Sequence, residues 1–339
     1  ENDVILEKGS KLKLNVLSYI STTAPSMAYG ILTSGNIIIN GAKLDINLYT
    51  DINIYDEHDY NQYGCFGISI ANRNNTKDIT ITDSDITITY DNNIEKTDEH
   101  HILNRTYGIA NAYPHIADDG INLLSIENSN IDIDIEGKIS EICGLRSKDF
   151  IIANSNVDIN IDCSTDEKES ITGINVIRND NPKDELLWIK DSNVNININS
   201  DIQKDTAGIN CDYLEIELKD EGYAVNIDTN GGYALLSLIS YGEEERTYDI
   251  DYEASKIALK DNSILPNKEK INIYSYDEYI GSKSFEEHPY YYYETLYKNK
   301  EKPVSKLLVT GHTNKPEPTP DPKPTPKPVP YVAPKTGIN

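Results

Sequence analysis

The feature that most constrains this chain is a short phrase that returns in the same order several times. Its clearest copy is Lys148-Asp149-Phe150-Ile151-Ile152-Ala153-Asn154-Ser155-Asn156-Val157-Asp158-Ile159-Asn160-Ile161. It reads as a short apolar stretch, a tight polar turn, then Val or Ile alternating with Asp or Asn. Further copies stand at 78–88, 124–135 and 187–198, with a degenerate one at 36–46. Alternation at period two sends successive side chains to opposite faces of a strand. The phrase therefore predicts two β-strands joined by a corner. Ile131, Ile133, Ile135, Val157, Ile159 and Ile161 are expected to point inward; Asp132, Asp134, Asp158 and Asn160 are expected to point outward. The Asn/Asp-Ser-Asn/Asp corner suits residues that accept left-handed backbone and bond their own main chain.

A second element recurs in phase with the first. Tyr29-Gly30-Ile31 returns as Phe66-Gly67-Ile68, Tyr107-Gly108-Ile109, Cys143-Gly144-Leu145, Thr172-Gly173-Ile174 and Ala207-Gly208-Ile209, at intervals of 29 to 41 residues. Each glycine strand is followed, after a loop, by the polar phrase. A unit this short cannot form an immunoglobulin-type domain of about 100 residues, and it lacks the helices of helical repeats. It predicts an all-β chain: a single-stranded parallel β-helix with three strands per coil, whose coils stack and share one column of inward side chains. Right-handed coiling follows from the handedness of parallel connections. The glycine before each Ile is expected to supply a corner of positive φ.

The organisation expected along the chain is an N-terminal cap or first strand over 1–20, the β-helix over 21–248, and final coils with a C-terminal cap over 249–311. The cap follows from the need to cover the open edges of a stack. A disordered Pro-rich linker spans 312–332, with nine prolines from Pro316 to Pro334 and an extended polyproline habit. A short motif closes the chain over 333–339.

Composition narrows the partners. The formal charge is −25, which disfavours nucleic acid and anionic lipid. Cys65, Cys143, Cys163 and Cys211 form no zinc or redox pattern and are expected as small buried apolar groups. No run of 18 apolar residues and no leader is visible; the chain reads as a mature or trimmed product, with no membrane segment in that form. No nucleophile elbow, phosphate loop, dinucleotide fingerprint or helical zinc motif occurs, and no catalytic residue is assigned.

The C-terminus resembles the sorting signal of Gram-positive cell-wall proteins, a Leu-Pro-x-Thr-Gly motif after a Pro-rich wall-spanning stretch. Pro334, Lys335, Thr336 and Gly337 match it, while Ala333 stands in place of Leu. The body also resembles β-helical repeat regions of clostridia-like surface proteins, and 259–309 is similar to their closing segment. The resemblance implies a sortase that cuts between Thr336 and Gly337 and joins Thr336 to peptidoglycan, and so an extracellular, wall-bound location.

Two further sets of residues are candidates for binding. Asp56, His58, Asp98 and His100 occupy equivalent loops of neighbouring coils and are candidates for holding Ca²⁺ or another divalent cation; two long solvated polar loops are the plainer reading of the same residues. Tyr290, Tyr291, Tyr292 and Tyr293 are candidates for stacking a sugar; a strand covering the end of the stack is the alternative. Arg105 and Lys77 are the nearest bases, with no partner assigned. The outward rows Asp132, Asp134, Asp158 and Asp162, and Asn160, Asn195, Asn197 and Asn199, repeat over many coils. That regularity favours scaffold over a reaction centre, which would break the repeat once. The expected function is adhesion to glycan or a host surface without turnover and without a required cofactor. The alternatives are a β-helix polysaccharide lyase or glycoside hydrolase, and a passive shielding protein.

Overall fold

A computed structural model describes residues 3–20, 26–53, 62–70, 77–95, 103–111, 122–138, 141–164, 170–177, 186–200, 206–211, 213–219, 222–237, 256–259, 263–264, 272–275, 278–279, 294–299, 302–303 and 305–311. The described chain is all-β, with no helix. Its strands form three mostly parallel sheets that the chain visits in rotation. The first sheet takes the short strands Val4–Leu6, Ile37–Asn40, Ile79–Thr82, Leu123–Glu127, Asp149–Ala153, Leu186–Lys190, Tyr213–Glu217 and Lys256–Leu259. The second takes Lys11–Ile20, Lys43–Asn53, Asp85–Glu95, Asn130–Lys138, Asn156–Ser164, Asn193–Ser200 and Ala224–Asp228. The third takes the glycine strands Ser26–Thr33, Gln62–Ile70, Leu103–Ala110, Glu141–Ser147, Ile171–Val176 and Thr206–Asn210, then Tyr233–Ser237, where Ala234 stands at the glycine's place. Residues 3–20 thus hold the opening strands of the first two sheets.

Register is one-to-one from circuit to circuit. Ile133 faces Ile88 on one side and Ile159 on the other, and Ile159 faces Ile196. Inward positions are fully buried: Ile131, Ile133, Ile135, Val157, Ile159 and Ile161 are at most 2 % exposed. Asp132, Asp134, Asp158 and Asn160 face out, as the alternation requires. Each such Ile contributes about 1.5–3 kcal/mol relative to an exposed one, so the shared column is the main source of cohesion.

The corner between the first and second sheets is built by the Asx-Ser-Asx phrase. Asp83, Asn128, Asn154 and Asp191 take φ between 45 and 51°, the left-handed region that short polar side chains tolerate. The serine that follows is buried. Ser84, Ser129, Ser155 and Ser192 donate to the carbonyls of Thr82, Glu127, Ala153 and Lys190 at 2.6–2.7 Å. Each hydroxyl also accepts from the N–H of the serine, or of Ala42, in the preceding circuit at 3.1 Å. A continuous serine ladder therefore satisfies the main chain where the strands turn.

The recurring glycines work differently from the expectation. Gly30, Gly67, Gly108, Gly144, Gly173 and Gly208 are absent from the positive-φ residues. They are needed for space. A Cβ on any of them would lie 2.5–2.8 Å from a main-chain oxygen of the next circuit and 2.2–2.9 Å from the Cγ2 of Ile46, Ile88, Ile133, Ile159, Ile196 or Ile227 in turn. The glycine row is a groove that receives the middle isoleucine row of the second sheet.

Antiparallel strands close the far end. Lys306–Gly311 pairs with Ala224–Asp228, Ser263–Ile264 pairs with it, and Glu294–Asn299 joins Tyr233–Ser237. Leu307 and Val309 enter the core at 5 and 1 % exposure.

Replacing Gly144 by Ala should lower unfolding free energy by about 1–3 kcal/mol through overpacking, read from urea denaturation. A wild-type midpoint would remove the contact role assigned to the glycine row.

Candidate functional site

The outer face of the second sheet carries polar residues in straight rows. Asn130, Asn156 and Asn193 donate in turn to Asp85, Asn130 and Asn156 at 2.7–3.0 Å. Asn197 donates to Asn160, and Asn160 to Asp134. Asn230 donates to Asn199, and Asn199 to Asp162; Asn195 donates to Asp158 at 2.7 Å. These rows run one way and end on a carboxylate, where charge strengthens the last bond; Asn47, nearer the first strand, donates instead to the amide oxygen of Asn15. Shallow depressions lie between rows; one of about 390 Å³ is lined by Asp134, Glu136, Asn160, Asp162, Asn197 and Asn199 among others. Asp132 faces Asp158 across the ladder, as Glu136 faces Asp162. The Asp132 pKa is raised by partial burial and by the charges of Asp134 and Asp158.

Among the described residues the repeat is broken on the outer face of the third sheet. Arg105 and Glu141 are register partners, and the Arg105 Nε–H donates to Glu141 Oε2 at 2.7 Å. Arg146 Nη1 donates to Glu141 Oε1 at 2.9 Å and to the Tyr107 hydroxyl at 3.0 Å. Tyr107 donates in turn to Glu141 Oε1 at 2.5 Å. The guanidinium lies 5.0 Å from the Tyr107 ring centroid. Tyr107 stands edge-on to Phe66, which stacks on Tyr29, with centroids 5.1 and 5.0 Å apart. These groups face outward yet are mostly buried: the Arg105, Glu141 and Arg146 side chains are 13, 16 and 12 % exposed.

The electrostatics define one charge state near neutrality. Burial pushes the Glu141 carboxyl up, but Arg146, the Tyr107 hydroxyl and Arg105 outweigh it and hold it below the usual range. Burial raises Tyr107 well above the ordinary phenol value, and burial pushes the Cys143 thiol up to about 12. The cluster is thus a carboxylate clamped between two guanidiniums beside a neutral phenol and a neutral thiol. Glu141 spends both oxygens on these donors, and Cys143 has no thiolate to attack with. The arrangement pins neighbouring circuits together.

Asp56, His58, Asp98, His100, Tyr290, Tyr291, Tyr292 and Tyr293 lie outside the described residues, as do Pro334, Lys335, Thr336 and Gly337. Among the described residues no group of three or more His, Cys, Asp and Glu side chains is placed to hold a metal ion. All four cysteines are buried and free of disulfides. Arg105 gains the partner that sequence reasoning left blank. Glu141, Tyr107 and Arg146 were not singled out, although aligning the chain on Gly108 and Gly144 sets Arg105 and Glu141 at the same offset before each glycine.

Comparison of the chain with protein-family models, with curated proteins and with solved structures returns no match in any of the three.

Two outcomes test this electrostatic reading. Because the folded pKa of Glu141 lies below its unfolded value, its contribution is fully present above the unfolded carboxylate pKa and is lost as pH falls through the folded one. Wild-type stability should therefore drop below about pH 4. Glu141→Gln should cost about 3 kcal/mol at neutral pH, by leaving buried guanidiniums without a counter-charge, and should decline less steeply in acid. Asp132→Asn removes a like-charge pair, so the urea midpoint should rise, by a few tenths of a kcal/mol.

Proposed function

We propose that the three sheets are the walls of a right-handed parallel β-helix with three strands per coil, and that the chain is a surface protein displayed on a Gram-positive cell wall, where it adheres to glycan or a host surface without turnover. The strand order supports the first part: the chain enters the three sheets in rotation, in one direction, with parallel partners one circuit apart. Parallel crossovers are right-handed in nearly all proteins. The Pro-rich stretch from Pro316 to Pro334 and the motif Pro334-Lys335-Thr336-Gly337 support display. In this reading a sortase breaks the Thr336–Gly337 amide, releases the segment from Gly337 onward and passes the Thr336 acyl group to an amine of peptidoglycan, and the prolines carry the body clear of the wall.

The observation that carries the binding reading is the polar outer face of the second sheet from Asp85–Glu95 to Asn193–Ser200. The same groups recur there row after row, which suits contact with an extended partner over a long rigid surface. The cluster around Glu141, on the third sheet, holds a carboxylate with both oxygens engaged and a thiol with its pKa raised, which suits cohesion better than proton transfer.

The anchoring test is transpeptidation. Incubated with a sortase and a glycine-oligomer amine, the chain should yield a product truncated after Thr336 and bearing the amine, and Thr336→Ala should yield none. An untouched wild-type chain would overturn the anchoring. The binding test is a panel of neutral and acidic polysaccharides with and without Ca²⁺. Saturable binding with unchanged polymer supports adhesion; new reducing or unsaturated ends would establish a lyase or hydrolase instead, and no binding at all would leave shielding.

A further inference from the structure

An asparagine followed by glycine is the least hindered setting for a reaction of the protein chain with itself. The glycine nitrogen can attack the carbon of the side-chain amide, because no Cβ crowds its approach. Two such steps occur in the sequence, Asn40-Gly41 and Asn230-Gly231. Two corner asparagines, Asn128 and Asn154, precede serine. All four asparagines are exposed, so access to solvent does not separate them. The hydrogen bonding of the N–H that follows each one does.

At Asn40 the Gly41 N–H donates to the Thr82 carbonyl at 2.9 Å, and the Gly41 carbonyl accepts from Gly9 at 2.8 Å. Gly41 is thus held from both neighbouring circuits. After Asn128 and Asn154 the next N–H belongs to Ser129 or Ser155 and donates to the serine hydroxyl of the following circuit at 3.1 Å. A bonded N–H must leave its acceptor before its nitrogen can turn onto a neighbouring side chain. Asn230 is placed differently. Thr229 to Gly232 form a tight turn, closed by the Gly232 N–H on the Thr229 carbonyl at 3.1 Å. Asn230 takes φ 48° and Gly231 φ 108°, positive at both central residues as in the Asn-Gly turns of hairpins. Such a turn leaves the N–H of its third residue outside its own hydrogen bond, and among the described residues nothing accepts from Gly231.

We propose that Asn230 is a site of spontaneous deamidation that loosens the seat of the closing strand. The Gly231 nitrogen bonds to Asn230 Cγ, the Cγ–Nδ2 bond breaks, and ammonia leaves with the proton that Gly231 gives up. The product is a cyclic imide. Water then opens it: cleavage at Cγ leaves aspartate, and cleavage at the main-chain carbonyl carbon leaves isoaspartate. Either way a neutral amide becomes a carboxylate, and water is the only co-reactant. Asn230 Nδ2 donates to Asn199 Oδ1 at 3.0 Å, so a carboxylate there sets oxygen against oxygen at the end of a polar row. Isoaspartate also adds a methylene to the main chain of the turn. The N–H and hydroxyl of Thr229 in that turn hold the Ser305 carbonyl at 2.9 and 3.1 Å, directly before the closing strand Lys306–Gly311. The inference is independent of wall display and glycan binding.

The test ages the full chain in mildly alkaline buffer and follows each asparagine by peptide mass and isoaspartate content. Two synthetic peptides, covering 36–44 and 226–234, report the same chemistry without the fold, and they should convert at similar rates. In the folded chain Asn230 should convert at least about tenfold faster than Asn40, Asn128 and Asn154, whose next N–H must first be freed by local opening. The aged fraction, separated by its added negative charge, should exchange the amides of 305–311 faster than the fresh chain. Equal rates at Asn40 and Asn230 in the folded chain, or an Asn230 that stays intact while the 226–234 peptide converts, would overturn the site. Unchanged exchange over 305–311 in the aged fraction would overturn its effect on the closing strand.

Discussion

The close seating of the second sheet on the third is the constraint on which the rest depends. Six isoleucines, from Ile46 to Ile227, each press a Cγ2 against a glycine that has no room for a Cβ. The contact recurs once per circuit, so it fixes the separation of two sheets along their length and, with it, the width of the core. It also fixes phase. A one-residue slip would turn every inward side chain out and would set a side chain in the groove. The shared register of the glycine in the six third-sheet strands from Ser26–Thr33 to Thr206–Asn210 is therefore a packing requirement. Interiors at crystal-like density have no slack to absorb an extra methyl at each level.

Given that contact, the polar features divide into two kinds. The serine ladder and the Asn-to-Asp rows satisfy groups that repeat with the circuit, and they do so with the same bond at each level. The Arg105–Glu141–Arg146–Tyr107 cluster is local. Buried ion clusters contribute little net stability compared with apolar packing, yet they are costly to break. Their effect is to specify which circuit meets which. The rows distribute a weak constraint evenly, and the cluster concentrates a strong one between two neighbouring strands.

Much of this was legible in the sequence because a repeat states the same fact several times. Period-two alternation gave the inward column and the outward acids, and Asx-Ser-Asx gave the left-handed corner. The reason for the glycines was not legible, since a required glycine looks the same whether the main chain needs positive φ or a neighbour needs the space. The partner of Arg105 lies 36 residues away at Glu141 and emerges only when the glycine strands are aligned. The closing strand Lys306–Gly311 was least accessible. It pairs across 78 to 86 residues, antiparallel to the strand it covers, and antiparallel closure repeats nothing that a periodic reading can detect. Asp56, His58, Asp98 and His100 fall in the stretches between described strands, where the repeat itself carries no information.

One-to-one register has a further consequence for how such a molecule can change size. Asn130, Asn156 and Asn193 are stacked equivalents, as are Ser129, Ser155 and Ser192. Removing the residues from Asn156 to Ser192 would bring Asn193 onto Asn130 with the amide row, the aliphatic column and the glycine groove all still matched. Duplicating them would do the reverse. Length can therefore change in whole circuits, each worth one strand spacing of about 4.8 Å, without redesign of any neighbouring contact. Recombination between copies of the phrase would then lengthen or shorten the body while leaving its cross-section intact.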